Sequence, residues 1–175
     1  GKAKPGRSVF VETWGCQMNE LDSRRFVGLM AREGYGEAAS EEDADLILLN
    51  TCSVRDKAEQ KVYVYLGRVA ARKRLRPGLR VGVCGCVAQQ EGEEILRRSS
   101  AVDFVLGTGR IELLPSVVRR VETEGDRPVE VGFDPDEVAY TPGAIARSAR
   151  HRASITIIEG CNKNCTFCVV PTTRG

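Results

Sequence analysis

The sequence predicts an α/β fold, an open parallel sheet with helices on both faces, over residues 1–124. Two observations carry that prediction. Apolar runs of strand length alternate four times with stretches of helical periodicity, and right-handed crossovers between such units force neighbouring strands parallel. One run, Asp45-Leu46-Ile47-Leu48-Leu49-Asn50, is continuously apolar rather than alternating, as a strand covered on both faces must be.

Ser8-Val9-Phe10-Val11 reads as the first strand. Leu21, Val27, Leu29 and Met30 then recur on one helix, with Asn19 as the expected cap and Gly34 as the stop. After the second strand, Ser53 and Asp56 approximate a capping box. Ala58, Val62, Tyr65, Leu66 and Val69 form the apolar stripe of the next helix, which Pro77-Gly78 closes. Val81-Gly82-Val83-Cys84 makes a third strand. A helical stretch through Ile95 and Leu96, a fourth strand over 102–106 and a helix from about 113 to 124 complete the domain. Gly107-Thr108-Gly109 reads as a turn, because Glu112 stands where a dinucleotide-binding loop needs its third glycine.

From Gly125 the texture changes to Gly, Pro and Asp, so 125–152 is expected to be a linker. Residues 153–158 alternate as a strand does and open a second unit, 153–175, in which one strand and one loop cannot bury a core. The expectation is the N-terminal piece of a longer protein.

A length of 175 residues suffices for one core and not for two. With 42% hydrophobic and 29% charged residues, disorder as the main state is excluded. Lys plus Arg at 26 against Asp plus Glu at 24 leaves a net charge of +2, so any nucleic-acid partner must be recognised locally. Two basic stretches offer themselves: Lys57, Lys61, Arg68, Arg72, Lys73, Arg74, Arg76 and Arg80 along the second helix and its exit, and Arg147, Arg150 and Arg152 in the linker. Each reads either as a solvated face or as a phosphate-tracking surface. The N-terminus has no apolar signal region and the longest aliphatic run, 46–49, is far too short to span a bilayer, so the expectation is a cytoplasmic protein with no membrane partner.

Seven cysteines, an odd count in a chain with a large core, argue against a disulfide scaffold. The single histidine, His151, disfavours Cys/His zinc sites and leaves all-thiolate metal ligation, redox chemistry or plain burial. Cys16, Cys52 and Cys86 each follow a predicted strand, at the sheet edge where the βα loops of open α/β folds bind ligands. Strands about 4.8 Å apart bring such loops within the span of one iron-sulfur cluster, and the helix N-termini behind them favour thiolates. Three unrelated half-buried cysteines remain the simpler alternative. Cys84 lies within a strand and reads as a buried hydrophobe.

The second set, Cys161-Asn162-Lys163-Asn164-Cys165-Thr166-Phe167-Cys168, spaces three thiols as Cys-x-x-x-Cys-x-x-Cys. Three thiolates in one short loop can hold three irons of a 4Fe-4S cubane and leave the fourth open; a zinc knuckle is the alternative.

This loop resembles the radical S-adenosylmethionine (SAM) superfamily. Together with Gly15-Cys16-Gln17-Met18-Asn19, Asp22-Ser23, Asn50-Thr51-Cys52-Ser53-Val54-Arg55, Ala58-Glu59-Gln60-Lys61, Gly85-Cys86-Val87-Ala88-Gln89 and Val169-Val170-Pro171, it resembles the radical SAM methylthiotransferase family, in its MiaB branch. Those motifs cover essentially the whole chain. The resemblance implies an N-terminal methylthiotransferase domain with an auxiliary 4Fe-4S cluster on Cys16, Cys52 and Cys86. It further implies the first strand and cluster loop of a truncated radical SAM barrel, with a second 4Fe-4S cluster on Cys161, Cys165 and Cys168, and Phe167 beside the adenine of SAM. In the family one SAM methylates a sulfur at the auxiliary cluster and another supplies a 5′-deoxyadenosyl radical. The implied product is a methylthio group on carbon 2 of an isopentenylated adenosine next to the anticodon of tRNA, with a flavodoxin or ferredoxin as electron donor. Cys84 stands where the family more often has Thr, a possible rival ligand, and Thr172 where Tyr is usual.

Three alternatives stay open: a sister enzyme acting on threonylcarbamoyl-adenosine or a ribosomal-protein aspartate, a non-catalytic iron-sulfur electron carrier, and a zinc-dependent RNA-binding module. The 175 residues alone are expected to be inactive, since the barrel and any tRNA-gripping domain lie outside them.

Overall fold

A computed structural model describes residues 6–53, 58–133, 145–146, 156–163 and 165–175. In chain order the elements are β1 (Ser8–Thr13), α1 (Gln17–Arg32), β2 (Gly36–Glu37), β3 (Leu46–Thr51), α2 (Ala58–Leu75), β4 (Arg80–Gly85), α3 (Cys86–Glu91) and α4 (Glu93–Arg98). There follow β5 (Phe104–Leu106), a 3-10 stretch (Thr108–Leu113), α5 (Leu114–Glu124), β6 (Val129–Glu130) and α6 (Val170–Arg174).

The strands form one sheet in the order β2-β1-β3-β4-β5-β6, and every pair is parallel. From β1 the chain first moves outward to β2 and then returns past β1 to β3. The winding therefore reverses between β1 and β3, which opens a crevice at their carboxyl ends.

The continuous apolar run of β3 follows from period-2 geometry. Leu46 and Leu48 face one layer, with Phe26 and Met30 of α1 and Val117, Val118 and Val121 of α5. Ile47 and Leu49 face the other, with Val62, Leu66 and Val69 of α2 and Ile95 of α4. All four are fully buried, each worth about 1.5–3 kcal/mol of removal from water. Cys84 is equally buried, in the α1/α5 layer.

Several expectations shift. The N-cap of α1 is Cys16, while Asn19 sits inside the first turn and spends its amide on the β3 end. The fourth strand starts at Phe104 rather than 102, because Asp103 turns its carboxylate to the Val81 N–H at 2.7 Å and to Lys73 Nζ at 2.5 Å. Residues 129–130, within the stretch read as a linker, add the edge strand β6, too short to show a period. Thr156, Ile157 and Ile158 are not in a strand; the rest of that expected strand, and Asp56 of the expected capping box, lie outside the described residues.

Much of the basic run on α2 is matched by acids of the loop before β3 and by Asp103. Arg72 meets Glu41 at 3.3 Å and Glu42 at 2.7 Å, Arg76 meets Asp45 at 3.2 Å, and Lys73 meets Asp103. Those cations fasten α2 to its surroundings. Lys57, Arg147, Arg150, Arg152 and His151 lie outside the described residues. No described helix is long and apolar enough to cross a membrane.

Candidate metal centre

Cys16 caps α1 just beyond β1, Cys52 directly follows β3, and Cys86 opens α3 directly after β4. Three adjacent parallel strands thus deliver three thiols to the crevice at the winding reversal. Cys16 is exposed beside a wide-open depression lined by Gly15, Gln17, Met18 and Glu20, whereas Cys52 and Cys86 are buried.

Short contacts knit the three together. Gly15 lies so close to the β3 end that a Cβ there would stand 2.8 Å from Cys52 Cβ, at a φ of +154°. Cys16 Sγ donates to Asn19 Oδ1 at 3.3 Å. Burial pushes the Cys86 thiol up and neighbouring Cys52 adds to the rise, while the Arg174 guanidinium and the Ser53 N–H pull it back by bonding its sulfur. Gly85, at φ +90°, lets β4 turn into α3 against β3: a Cβ would stand 2.5 Å from Asn50 Oδ1 and 2.8 Å from Thr51 N.

Behind the thiols runs a buried polar network. Asn19 Nδ2 donates to Asn50 Oδ1 and to the Thr51 carbonyl, both at 2.9 Å, and Asn50 Nδ2 donates to the Asn19 carbonyl at 2.8 Å and Ser23 Oγ at 2.9 Å. Thr51 Oγ1 donates to the Cys84 carbonyl at 2.6 Å. The loops carrying Cys16, Cys52 and Cys86 are therefore referenced to one another by hydrogen bonds. Asn50 and Asp22 stood among the sequence motifs without a role, and Asn19 only as the expected cap of the first helix. The polar Asn50-Thr51 at the end of an apolar strand was the signal that they sit at a site.

The second cysteine set lies apart in burial. Cys161 and Cys165 are exposed and Cys168 half-buried, in a turn where the Cys168 N–H donates to the Cys165 carbonyl at 3.1 Å. Phe167 is 92% exposed, its ring offered to solvent. The Cys161 N–H donates to the Gly175 carbonyl at 2.7 Å, so this loop is tied to the end of α6. From α6, Arg174 reaches back to Asp22 at 2.6 Å, a residue absent from the sequence-based site.

Among the described residues no three Cys, His, Asp or Glu side chains close around a point as ligands of a single metal ion. A cubane spreads its thiolates over several irons and asks for wider spacing. The donor set at the first site fits such a cluster: all thiols, two glycines that keep backbone Cβ atoms out, and Ser53 Oγ, enclosed beside Cys52 with no hydrogen-bond partner among the described residues.

Residues 8–107 match the family described as Uncharacterized protein family UPF0004. The chain is also similar to proteins named tRNA-2-methylthio-N(6)-dimethylallyladenosine synthase. It is 50% identical to that of Anaeromyxobacter dehalogenans (strain 2CP-C) over 175 residues, covering 99% of this chain and 37% of the relative. Identity is 46% over 170 residues to that of Roseobacter denitrificans (strain ATCC 33942 / OCh 114), covering 97% and 38%. It is 45% over 171 residues to that of Neisseria meningitidis serogroup A / serotype 4A (strain DSM 15465 / Z2491), again 97% and 38%. The chain thus spans under two fifths of the length of these relatives.

Proposed function

The chain belongs to the UPF0004 family, and from that membership we propose that it is the N-terminal part of a tRNA methylthiotransferase. The proposed reaction adds a methylthio group to carbon 2 of N6-isopentenyladenosine next to the anticodon, in the cytoplasm. The observation that carries this reading is the delivery of Cys16, Cys52 and Cys86 by three adjacent strands to one crevice.

In this reading Cys16, Cys52 and Cys86 hold one 4Fe-4S cluster and Cys161, Cys165 and Cys168 another, with Phe167 beside SAM. When bound, the clusters and SAM supply the sulfur and the carbon radical that an unactivated aromatic C–H demands. A flavodoxin or ferredoxin supplies electrons. The chain's own residues hold and shield. Asn19 and Asn50 fix the spacing of the first two thiol loops, and Gly85 lets the third approach them. The burial of Cys52 and Cys86 keeps water from two of the three thiols, while exposed Cys16 leaves the site open to solvent on one side.

Metal and sulfide analysis of the anaerobically purified full-length protein tests the reading. About eight irons and eight sulfides per chain are expected, falling to about half when Cys16, Cys52 and Cys86 are all replaced by Ala. Stoichiometric zinc in place of iron overturns it in favour of a structural RNA-binding module.

A further inference from the structure

Arg174 is separated from Asp22 by 152 residues, yet its guanidinium is enclosed in the first thiol site. Its side chain is 8% exposed and that of Asp22 is 5% exposed, with 2.6 Å between Nη1 and Oδ2. The second arm, Nη2, lies 3.4 Å from Asn19 Oδ1, the same oxygen that accepts from Cys16 Sγ. α6 packs on α3, whose first residue is Cys86. The guanidinium therefore sits among groups that touch two of the three thiols.

Enclosing a guanidinium and a carboxylate costs several kcal/mol of hydration per ion, and mutual attraction offsets this only with good geometry. A clasp between two segments is made more cheaply from apolar side chains. Fixed positive charge has a further use where negative charge gathers, as it does around thiolates holding a metal cluster. Neighbouring charges are already matched to one another: Arg25 meets Glu112 at 2.9 Å, Glu159 at 3.6 Å and Asp22 at 3.9 Å.

The anchor of Arg174 is equally specific. Thr108 Oγ1 donates to the Thr173 carbonyl at 2.5 Å, which fastens α6 to the sheet domain. The Cys161 N–H donates to the Gly175 carbonyl, which fastens α6 to the second cysteine loop. Residues on either side of Arg174 thus tie it to the sheet domain and to the second cysteine loop.

We propose that Arg174 is a positioning residue through which the second cysteine loop sets the charge at the Cys16, Cys52 and Cys86 site, with Asp22 holding the guanidinium in place and partly neutralising it. The proposal rests on the reading of that site as an iron-sulfur centre. One electron added to a cluster makes it more negative, so a nearby guanidinium favours the reduced form and a nearby carboxylate disfavours it. Removing Arg174 and removing Asp22 should then act in opposite directions, which a merely structural clasp would not produce.

The test uses the full-length protein with Cys161, Cys165 and Cys168 all replaced by Ala, so that only the first cluster remains, reconstituted anaerobically and titrated with reductant under EPR. At the midpoint poise of this parent, Arg174→Gln is expected to lower the ratio of reduced to oxidised cluster at least about tenfold. Arg174→Lys restores it towards the parent, and Asp22→Asn raises it. Unchanged midpoints in Arg174→Gln and Asp22→Asn, or shifts of both in the same direction, overturn the proposal and leave the iron-sulfur reading standing. A parent without iron removes that reading, and the proposal falls with it.

Discussion

Asn19 and Asn50 hold one another by reciprocal hydrogen bonds, Asn19 Nδ2 to Asn50 Oδ1 at 2.9 Å and Asn50 Nδ2 to the Asn19 carbonyl at 2.8 Å. Both are fully buried, and the pair joins the first turn of α1 to the end of β3. Asn50→Ala takes one of the two acceptors from the Asn19 amide and removes the donor to the Asn19 carbonyl and to Ser23, so a loss of about 1–3 kcal/mol is expected in urea unfolding. A variant as stable as the parent would show that the network does not hold the two loops.

Gly85 is the tighter constraint. Its φ of +90° and the Asn50 Oδ1 atom 2.5 Å from where a Cβ would lie leave no room for Ala. Gly85→Ala is expected to cost about 3 kcal/mol or more and to displace Cys86. Thermal unfolding together with iron retention after reconstitution measures both; unaltered values would contradict the close approach of β4 to β3.

How much of this was legible in the sequence differs by element. β3 and β4 could be read because Leu46 to Leu49 and Val81 to Cys84 are buried on both faces and so carry apolar runs. β2 and β6, at two residues each, offer no period to read. The positions of Cys16, Cys52 and Cys86 after their strands were equally legible, since a βα loop has only one edge on which to lie. Arg174 was not legible. Its partner Asp22 is 152 residues away, and packing of α6 against α3 and the 3-10 stretch brings them together. Asn19 misled for a local reason: a short polar residue near a helix start resembles a cap, and its amide instead serves the β3 end.

Alkaline pH should expose the buried tyrosines. Burial pushes the Tyr35 hydroxyl up, and its hydrogen bond to Glu122 at 2.5 Å adds to the rise; burial and Glu41 do the same for Tyr65. A group whose folded pKa lies above its unfolded value gives stability that is complete below the unfolded pKa and is lost as pH rises towards the folded one. The fold is therefore expected to weaken above about pH 10, by up to about 1.4 kcal/mol per pH unit for each tyrosine. Urea midpoints between pH 8 and about 11 should fall less steeply in Tyr35→Phe than in the parent. Equal slopes would contradict the assignment.

Cys84 and Cys86 lie two residues apart with different surroundings. Cys84 is sealed among Leu46, Leu48, Phe104 and Leu106, and burial pushes its thiol up, whereas Cys86 faces Cys52 and Arg174. In the full-length protein, Cys86→Ala is expected to lose the iron of one cluster, and Cys84→Ala to keep it while losing about 1 kcal/mol of stability. Iron retained by Cys86→Ala and lost by Cys84→Ala would reverse the ligand assignment.

Nucleoside mass spectrometry of tRNA tests the proposed function most directly. A host lacking its own tRNA methylthiolation is supplied with the full-length protein, with its Cys16→Ala, Cys52→Ala or Cys86→Ala variant, or with the 175 residues alone. The account predicts a methylthio-isopentenyladenosine peak with the full-length protein and none with any of the other samples. Only unmodified isopentenyladenosine with the full-length protein, or a methylthio peak that survives loss of these cysteines, would contradict it.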